Sequence, residues 1–162
     1  MKSLVCTLFL ILAASTFAQS PNRFEIARVN PGGETKTRTV AMEAGGANRD
    51  LKVEDPAPIT QAHVSRAALA TERIKVTSGE KPETKGVSVI RISFNGDGRK
   101  ALNDLTETWK GRLIAVIVDG KCIASPKVVE PISRGELTLS GNFTTDEAKA
   151  IVAAIQDATK KK

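Results

Sequence analysis

Alternating apolar and polar positions in the second half of the chain predict strands. Ile90, Ile92 and Phe94 alternate with polar residues, so 87–94 is expected to form a strand with one face toward a core. Residues 136–140, ELTLS, alternate in the same way, whereas 113–118 is an almost unbroken apolar run, which is typical of a strand covered on both faces. Further strands are predicted at 39–44, 51–53 and the end of 67–77, with a polar hairpin tip at 78–86.

Two other segments carry apolar residues at helical spacing. The stripe of the first helix consists of Ala101, Leu102, Leu105 and Trp109. The stripe of the second consists of Ala148, Ile151, Val152 and Ile155. Because each helix has one apolar stripe, both are expected to cover one sheet. The predicted fold class is therefore α+β, with a mixed, mostly antiparallel sheet and two main helices packed on one face.

Turn and cap residues divide these elements. Asp119-Gly120 supplies the positive φ angles of a two-residue hairpin, and Pro126 ends the short return strand because it lacks an amide proton. Asn95 or Asp97 is expected to cap the first helix, where Gly98 allows close packing on the preceding strand. Thr144 and Glu147 fit a capping box at the start of the second.

The segment from 111 to 148 resembles the head subdomain of the first periplasmic domain of SecD, the membrane-integrated accessory of the bacterial Sec protein-export machine. The residues that carry the resemblance are Asp119, Gly120, Lys121, Ser125, Pro126, Glu130, Pro131, Ile132, Gly135, Gly141, Phe143, Thr144, Glu147 and Ala148. Weaker likeness extends upstream to 94–98, to 51–56 and to 24–29, where the resemblance implies the family's first strand. The sequence departs from the family pattern at Leu102, at Cys122 and at 133–135.

The resemblance implies a head-like module that engages extended or unfolded polypeptide through a sheet edge or groove. In that family, proton flow passes through transmembrane segments. No such segment and no base subdomain are evident in this sequence, so proton-driven pulling is not expected of the chain alone. The signature residues are expected to act mainly in the fold, and the ligand-binding residues stay open.

The N-terminus predicts export. Lys2 precedes an apolar run at 4–14, and Thr16-Phe17-Ala18 fits a cleavage site, so 1–18 is interpreted as a cleavable signal peptide. The alternative is a leader retained as an anchor. Residues 19–157 are predicted to form a single domain and 158–162 a basic tail, with the mature protein periplasmic or secreted.

Charge and composition limit the possible chemistry. The formal net charge of +6 owes much to the C-terminal lysines, and the absence of tyrosine argues against nucleic-acid binding by base stacking. The sequence 96–101 imitates a dinucleotide-binding loop, but no second βαβ unit follows. His63 is the only histidine and is expected on the surface, while Trp109 is expected in the core. Cys122 is interpreted as a small buried hydrophobe, with an intermolecular disulfide or a reactive thiol as the alternative.

Two functional hypotheses follow. The first is a non-enzymatic envelope module, without cofactor, metal or catalytic residues, that binds unfolded polypeptide and contacts translocon components. The second is a structural or oligomeric envelope adaptor that reuses the fold and has no role in translocation. An enzyme of unknown type is the third and weakest.

Overall fold

The computed structural model describes residues 23–33, 35–42, 49–78, 81–141 and 143–160. Within these ranges the strands are β1 (Phe24–Arg28), β2 (Thr37–Met42), β3 (Arg49–Glu54), β4 (Ile59–Thr60), β5 (Val64–Ser78), β6 (Lys81–Phe94), β7 (Ile114–Val118), β8 (Lys121–Ala124) and β9 (Glu136–Ser140). The helices are α1 (Gly96–Thr108) and α2 (Thr145–Lys160), and a 3-10 turn spans Gln61–His63. The predicted signal peptide, 1–18, lies outside the described residues.

The strands form two sheets, where the sequence predicted one. The first sheet has the order β3-β2-β8-β7-β1-β4, and the second has the order β5-β6-β9. All pairings are antiparallel except the short contact between β2 and β8, so the α+β class and the mixed, mostly antiparallel character are confirmed. The difference arises because β7 pairs with β8 on one side and with β1 on the other, while β9 pairs with β6.

A large core lies between the two sheets and the two helices. It takes Phe24 and Ile26 from β1, alternate residues of β6, β7 and β9, and the predicted stripes of both helices. The sequence therefore located the apolar faces correctly. Both helices pack into this one cluster, although it is shared by two sheets.

A second, smaller core occupies the other face of the first sheet. Val40, Leu51 and Val53 of the β2-β3 hairpin pack there against Ala27 and Ile117. The sheet curls around this cluster, because β3 also forms a bridge from Val53 to Val29, just beyond β1. This explains why 113–118 carries apolar residues at successive positions: β7 has a core on each face, as its pattern predicted.

One carboxylate is buried at the end of the smaller core. Glu25 is 1% exposed, and its Oε1 lies 2.7 Å from the Arg23 guanidinium. Its Oε2 accepts a hydrogen bond from Arg38 of β2. A buried carboxylate needs such partners, so this ion pair ties β1 to β2.

The hairpin of β5 and β6 is longer than predicted. The polar stretch 78–86 was expected to be a tip, but Lys81 to Gly86 continue β6 and pair with Arg73 to Ser78. The pairing continues because backbone groups make the ladder bonds, which polar side chains do not prevent. Strand β9 pairs only with Val89 to Ser93 of β6. From Ser88 to its tip, the β5-β6 hairpin therefore consists of two strands without a third beside them in the described part of the chain.

The caps predicted at the starts of both helices are confirmed. Asn95 caps α1, since its Oδ1 accepts a hydrogen bond from the Gly98 amide at 2.8 Å. At α2, the Glu147 amide donates to Thr144 Oγ1 at 3.2 Å, and the Thr144 amide donates to Glu147 Oε2 at 2.8 Å. The helix runs to Lys160 with Ala158 buried, so the tail boundary predicted at 158 falls inside α2, where the last turn packs on the core.

Candidate functional site

A groove of about 790 Å³ opens between β8, β9 and the first three turns of α2, and we call it the β8–β9 groove. Its walls include Ile123 and Ala124 of β8, residues 138–140 of β9 with Gly141 after them, and Ala150, Ile151 and Ala154 of α2. Phe143 and Pro126 add further apolar surface. A concave, mainly apolar surface next to a strand edge is suited to binding an extended chain.

The β7-β8 hairpin forms one end of the groove. Asp119 and Gly120 have φ angles of 51° and 80°, which confirms the two-residue turn predicted for this dipeptide. Asp119 also exchanges hydrogen bonds with Arg23: its amide donates to the Arg23 carbonyl at 2.9 Å, and its Oδ1 accepts from the Arg23 amide at 3.1 Å. The turn is thereby fixed to the start of β1, which gives this end of the groove a defined position.

The start of α2 forms another part of the groove wall. Phe143 is half-buried beside Gly141, where an added Cβ would lie 3.0 Å from the Phe143 ring. Hydrogen bonds from the Thr144 amide and hydroxyl hold the pKa of the Glu147 carboxyl below its usual value. Glu147 therefore presents a negative charge at the rim while it anchors the helix start.

Half of the signature residues meet at the β8–β9 groove. These are Asp119, Lys121, Ser125, Pro126, Gly141, Phe143 and Glu147. Gly120 and Thr144 lie next to them in the turn and the cap, and Ala148 is buried in the main core. Residues that are separated by up to 28 positions in sequence are thus brought to one surface by the β7-β8 hairpin and the α2 cap.

The other signature residues lie elsewhere. Glu130 and Pro131 are exposed in the loop between β8 and β9, and the Ile132 amide donates to Thr106 Oγ1 of α1 at 2.9 Å. Gly135 has a φ of 70° and lies against the Arg99 side chain. This second group positions the loop on α1 and contributes nothing to the groove.

Several groove residues were not singled out from the sequence. Ile123, Ala124, Thr138, Ser140, Ala150 and Ala154 all line it. The position of Ala154 at the margin of the α2 stripe and the alternation of β9 indicated in the sequence where buried faces meet the surface. Neither signal could show that β9 is an edge strand, because strand order depends on pairings distant in sequence.

The remaining candidate residues have structural roles. Trp109 is buried, and its Nε1 donates to the Leu113 carbonyl at 2.9 Å, as expected for a core indole. Cys122 is fully buried, and burial raises the pKa of its thiol. His63 is half-buried rather than a surface residue, because α1 packs against it at Gly98, and its Nδ1 accepts from the Thr60 amide at 3.1 Å.

The glycine-rich sequence at 96–101 is accounted for by packing. A Cβ at Gly98 would lie 2.4 Å from the His63 carbonyl oxygen, so this glycine allows α1 to approach the 3-10 turn. Within the described ranges, no group of three or more His, Cys, Asp or Glu side chains is arranged to hold a metal ion. Neither described helix combines the length and apolar character needed to cross a bilayer.

Comparison with known proteins gives a consistent family match. Residues 48–158, more than half of the chain, match the SecDF P1 head subdomain. The protein translocase subunit SecD of Endomicrobium trichonymphae is 33% identical over 111 residues, which cover 68% of this chain and 21% of that protein. SecD of Acidaminococcus fermentans is 35% identical over 74 residues, covering 46% of this chain and 18% of the relative. The chain spans about a fifth of the length of these curated relatives.

Two solved structures share the fold. SecDF in a super-membrane-facing form and SecDF described as a membrane component that enhances protein export each align with a TM-score of 0.59 at 19% identity over 83% of this chain. The aligned region covers 18% of the first structure's chain and 61% of the second's. At this identity the structural likeness concerns the fold, whereas the sequence match over 48–158 establishes descent. The chain belongs to the SecDF P1 head subdomain family.

Proposed function

We propose that this chain is a non-enzymatic module of the cell envelope that binds extended polypeptide in the β8–β9 groove and assists protein export. The single observation that carries the proposal is the position of β9. It is an edge strand among the described residues, and its edge forms a wall of the groove. An unpaired strand edge offers main-chain donors and acceptors to any extended segment, independent of its sequence.

Family membership and the predicted export signal support the same proposal. The relatives are named as subunits of a protein translocase, and one similar structure is described as enhancing protein export. The apolar run at 4–14 followed by Thr16-Phe17-Ala18 fits delivery to the envelope. Translocon components are the partners that this proposal implies, and crosslinking in the native envelope would identify them.

Peptide binding can be tested with a matched pair of variants on α2. Ala150 and Ala153 are both exposed, but Ala150 lines the groove and Ala153 does not. The full chain is titrated with a reduced, carboxymethylated polypeptide that cannot fold, and binding is followed by calorimetry. We expect Ala150→Trp to weaken binding at least tenfold by filling the groove, and Ala153→Trp to leave the affinity unchanged.

Two results would contradict the proposal. Absence of binding at high micromolar concentration by a folded chain would remove the peptide-binding function and favour the adaptor hypothesis. Equal affinity of both variants and the parent would mean that polypeptide binds outside the β8–β9 groove. Both positions are exposed, so a tryptophan there should leave the core intact. Circular dichroism of each variant checks that the fold is retained.

A further inference from the structure

The hydrogen-bonding pattern of β9 identifies which of its peptide groups face the groove. The Phe94 amide donates to the Gly135 carbonyl at 2.9 Å, so these two residues form a hydrogen-bonded pair just before β9. Hydrogen-bonded and non-bonded pairs alternate along an antiparallel ladder. By the observed register, Leu137 and Leu139 therefore bond to β6. The N–H and C=O groups of Thr138 and Ser140 consequently point away from β6, and both residues line the groove.

The two sides of β9 differ sharply in environment. Leu137 and Leu139 are buried toward the main core, whereas Glu136, Thr138 and Ser140 are exposed on the opposite face of the sheet. Helix α2 packs into the same core as the two leucines. A strand placed beside β9 continues the sheet and shares this two-sided environment, because the side chains of successive residues alternate between faces.

A segment bound in the groove would meet apolar surface on one side only. On the α2 side it would contact Phe143, Ala150, Ile151 and Ala154, together with Ile123 and Ala124 of β8, which pack against the same core as α2. On the other side its residues would extend the solvent-facing surface of Glu136, Thr138 and Ser140. A continuous apolar segment would leave half of its side chains in water there, and a helix would leave the peptide groups of Thr138 and Ser140 unpaired.

We infer that the β8–β9 groove selects extended segments in which apolar and polar residues alternate, bound as an added strand on β9. This inference rests on the proposed function and specifies its substrate class. Five-residue β9 spans about 17 Å, so about five residues of the segment pair with it, two or three of which place apolar side chains against α2. Segments destined to become half-buried strands carry this pattern, whereas long uniformly apolar segments do not.

The test compares two peptides of identical composition. One has four alternating leucine–threonine pairs flanked by two lysines at each end, and the other has four leucines followed by four threonines with the same flanks. Binding of each to the full chain is measured by calorimetry at concentrations where both peptides are monomeric. We expect the alternating peptide to bind at least tenfold more tightly, because five of its residues can place three leucines against α2, whereas an extended block isomer can place only two there.

Backbone methylation of the alternating peptide tests strand addition separately. In an extended chain the N–H groups of alternate residues point to opposite edges. N-methylation of all leucines in one version, and of all threonines in another, should therefore weaken binding in one version only, by at least tenfold. Which version is affected depends on whether the added strand runs parallel or antiparallel to β9.

The outcomes separate this inference from the proposed function. If the block isomer binds as tightly as the alternating peptide, or if both methylated versions behave alike, the inference is wrong while peptide binding in the groove stands. If neither peptide nor the carboxymethylated polypeptide binds, the proposed function fails as well. Preference for the alternating peptide together with an asymmetric methylation effect supports both. The Ala150→Trp variant should then abolish the preference.

Discussion

Replacement of Gly98 by alanine tests the close contact between α1 and the 3-10 turn. A Cβ at this position would lie 2.4 Å from the His63 carbonyl oxygen, 2.9 Å from His63 Cβ and 3.0 Å from Phe94 Cβ. All three neighbours are fixed by the backbone, one as a carbonyl oxygen and two as Cβ atoms, so none of them can rotate away. The helix start must instead move by more than half an ångström.

That movement strains several hydrogen bonds. The Asn95 amide donates to the His63 carbonyl at 3.0 Å, and the Asn95 side chain both donates to Ala62 and accepts from Gly98. Overpacking of this kind costs about 1–3 kcal/mol, and one weakened hydrogen bond adds about 1 kcal/mol. The better helix propensity of alanine offsets about 0.5–1 kcal/mol of this destabilisation. We therefore expect Gly98→Ala to lower the free energy of unfolding by about 2 kcal/mol.

Gly96 provides the matched control on the same helical turn. An added Cβ there meets nothing within 4 Å, so Gly96→Ala should leave the stability unchanged or raise it by about 0.5 kcal/mol. Urea unfolding followed by circular dichroism measures both variants, and a loss of about 2 kcal/mol corresponds to a Tm decrease of roughly 4–8 °C. Equal stabilities of the two variants would refute the argument that α1 is held against the turn by this contact.

Three further predictions concern the buried charge, the helix cap and the cysteine. Arg38→Met should cost about 2–3 kcal/mol because Glu25 stays buried, and the double variant with Glu25→Leu should recover most of the loss in urea unfolding; additive losses would contradict this. Thr144→Ala keeps the amide bond to Glu147 and removes the hydroxyl bond, so it should raise the pKa of Glu147 part of the way toward its ordinary value in an NMR titration. Because the pKa of Glu147 is lowered in the folded state, the hydrogen bonds from Thr144 stabilise the fold at pH values above the pKa that Glu147 has in the unfolded chain. This stabilisation disappears as the pH falls through the pKa that Glu147 has in the folded state. Burial raises the pKa of the Cys122 thiol, so iodoacetamide at pH 8 should alkylate Cys122 only in unfolding concentrations of urea, as read by mass spectrometry; rapid native-state alkylation would mean that β8 opens.

Features that depend on neighbouring residues could be predicted from the sequence. The hairpin at Asp119 and Gly120 follows from the positive φ angles that this dipeptide tolerates, and the α2 cap follows from hydroxyl and carboxylate groups three residues apart. The apolar stripes of α1 and α2 could also be predicted, because helical periodicity relates residues only three or four positions apart. Together these signals located one end and one side of the groove.

Features that depend on pairing between distant segments could not be predicted. Strand β1 pairs with β7 across about 90 positions and occupies the interior of the six-stranded sheet, although it lies outside the family match at 48–158. The second core requires the β2-β3 hairpin to pack over β7, and no local sequence pattern indicates that packing. The edge position of β9 has the same origin, so the groove itself could not be derived from the sequence.

An unpaired strand edge is normally a route to aggregation, and the surroundings of β9 restrict which partners can reach it. The strand has five residues, begins at exposed Glu136 and lies in a groove walled by α2 and β8. The walls on either side of the strand hinder the approach of a folded sheet more than that of a single extended chain. We therefore expect the chain to remain monomeric at tens of micromolar in light scattering after gel filtration. A stable dimer that Ala150→Trp dissociates and Ala153→Trp does not would show that the groove accepts a second copy, which would favour the oligomeric adaptor over polypeptide capture.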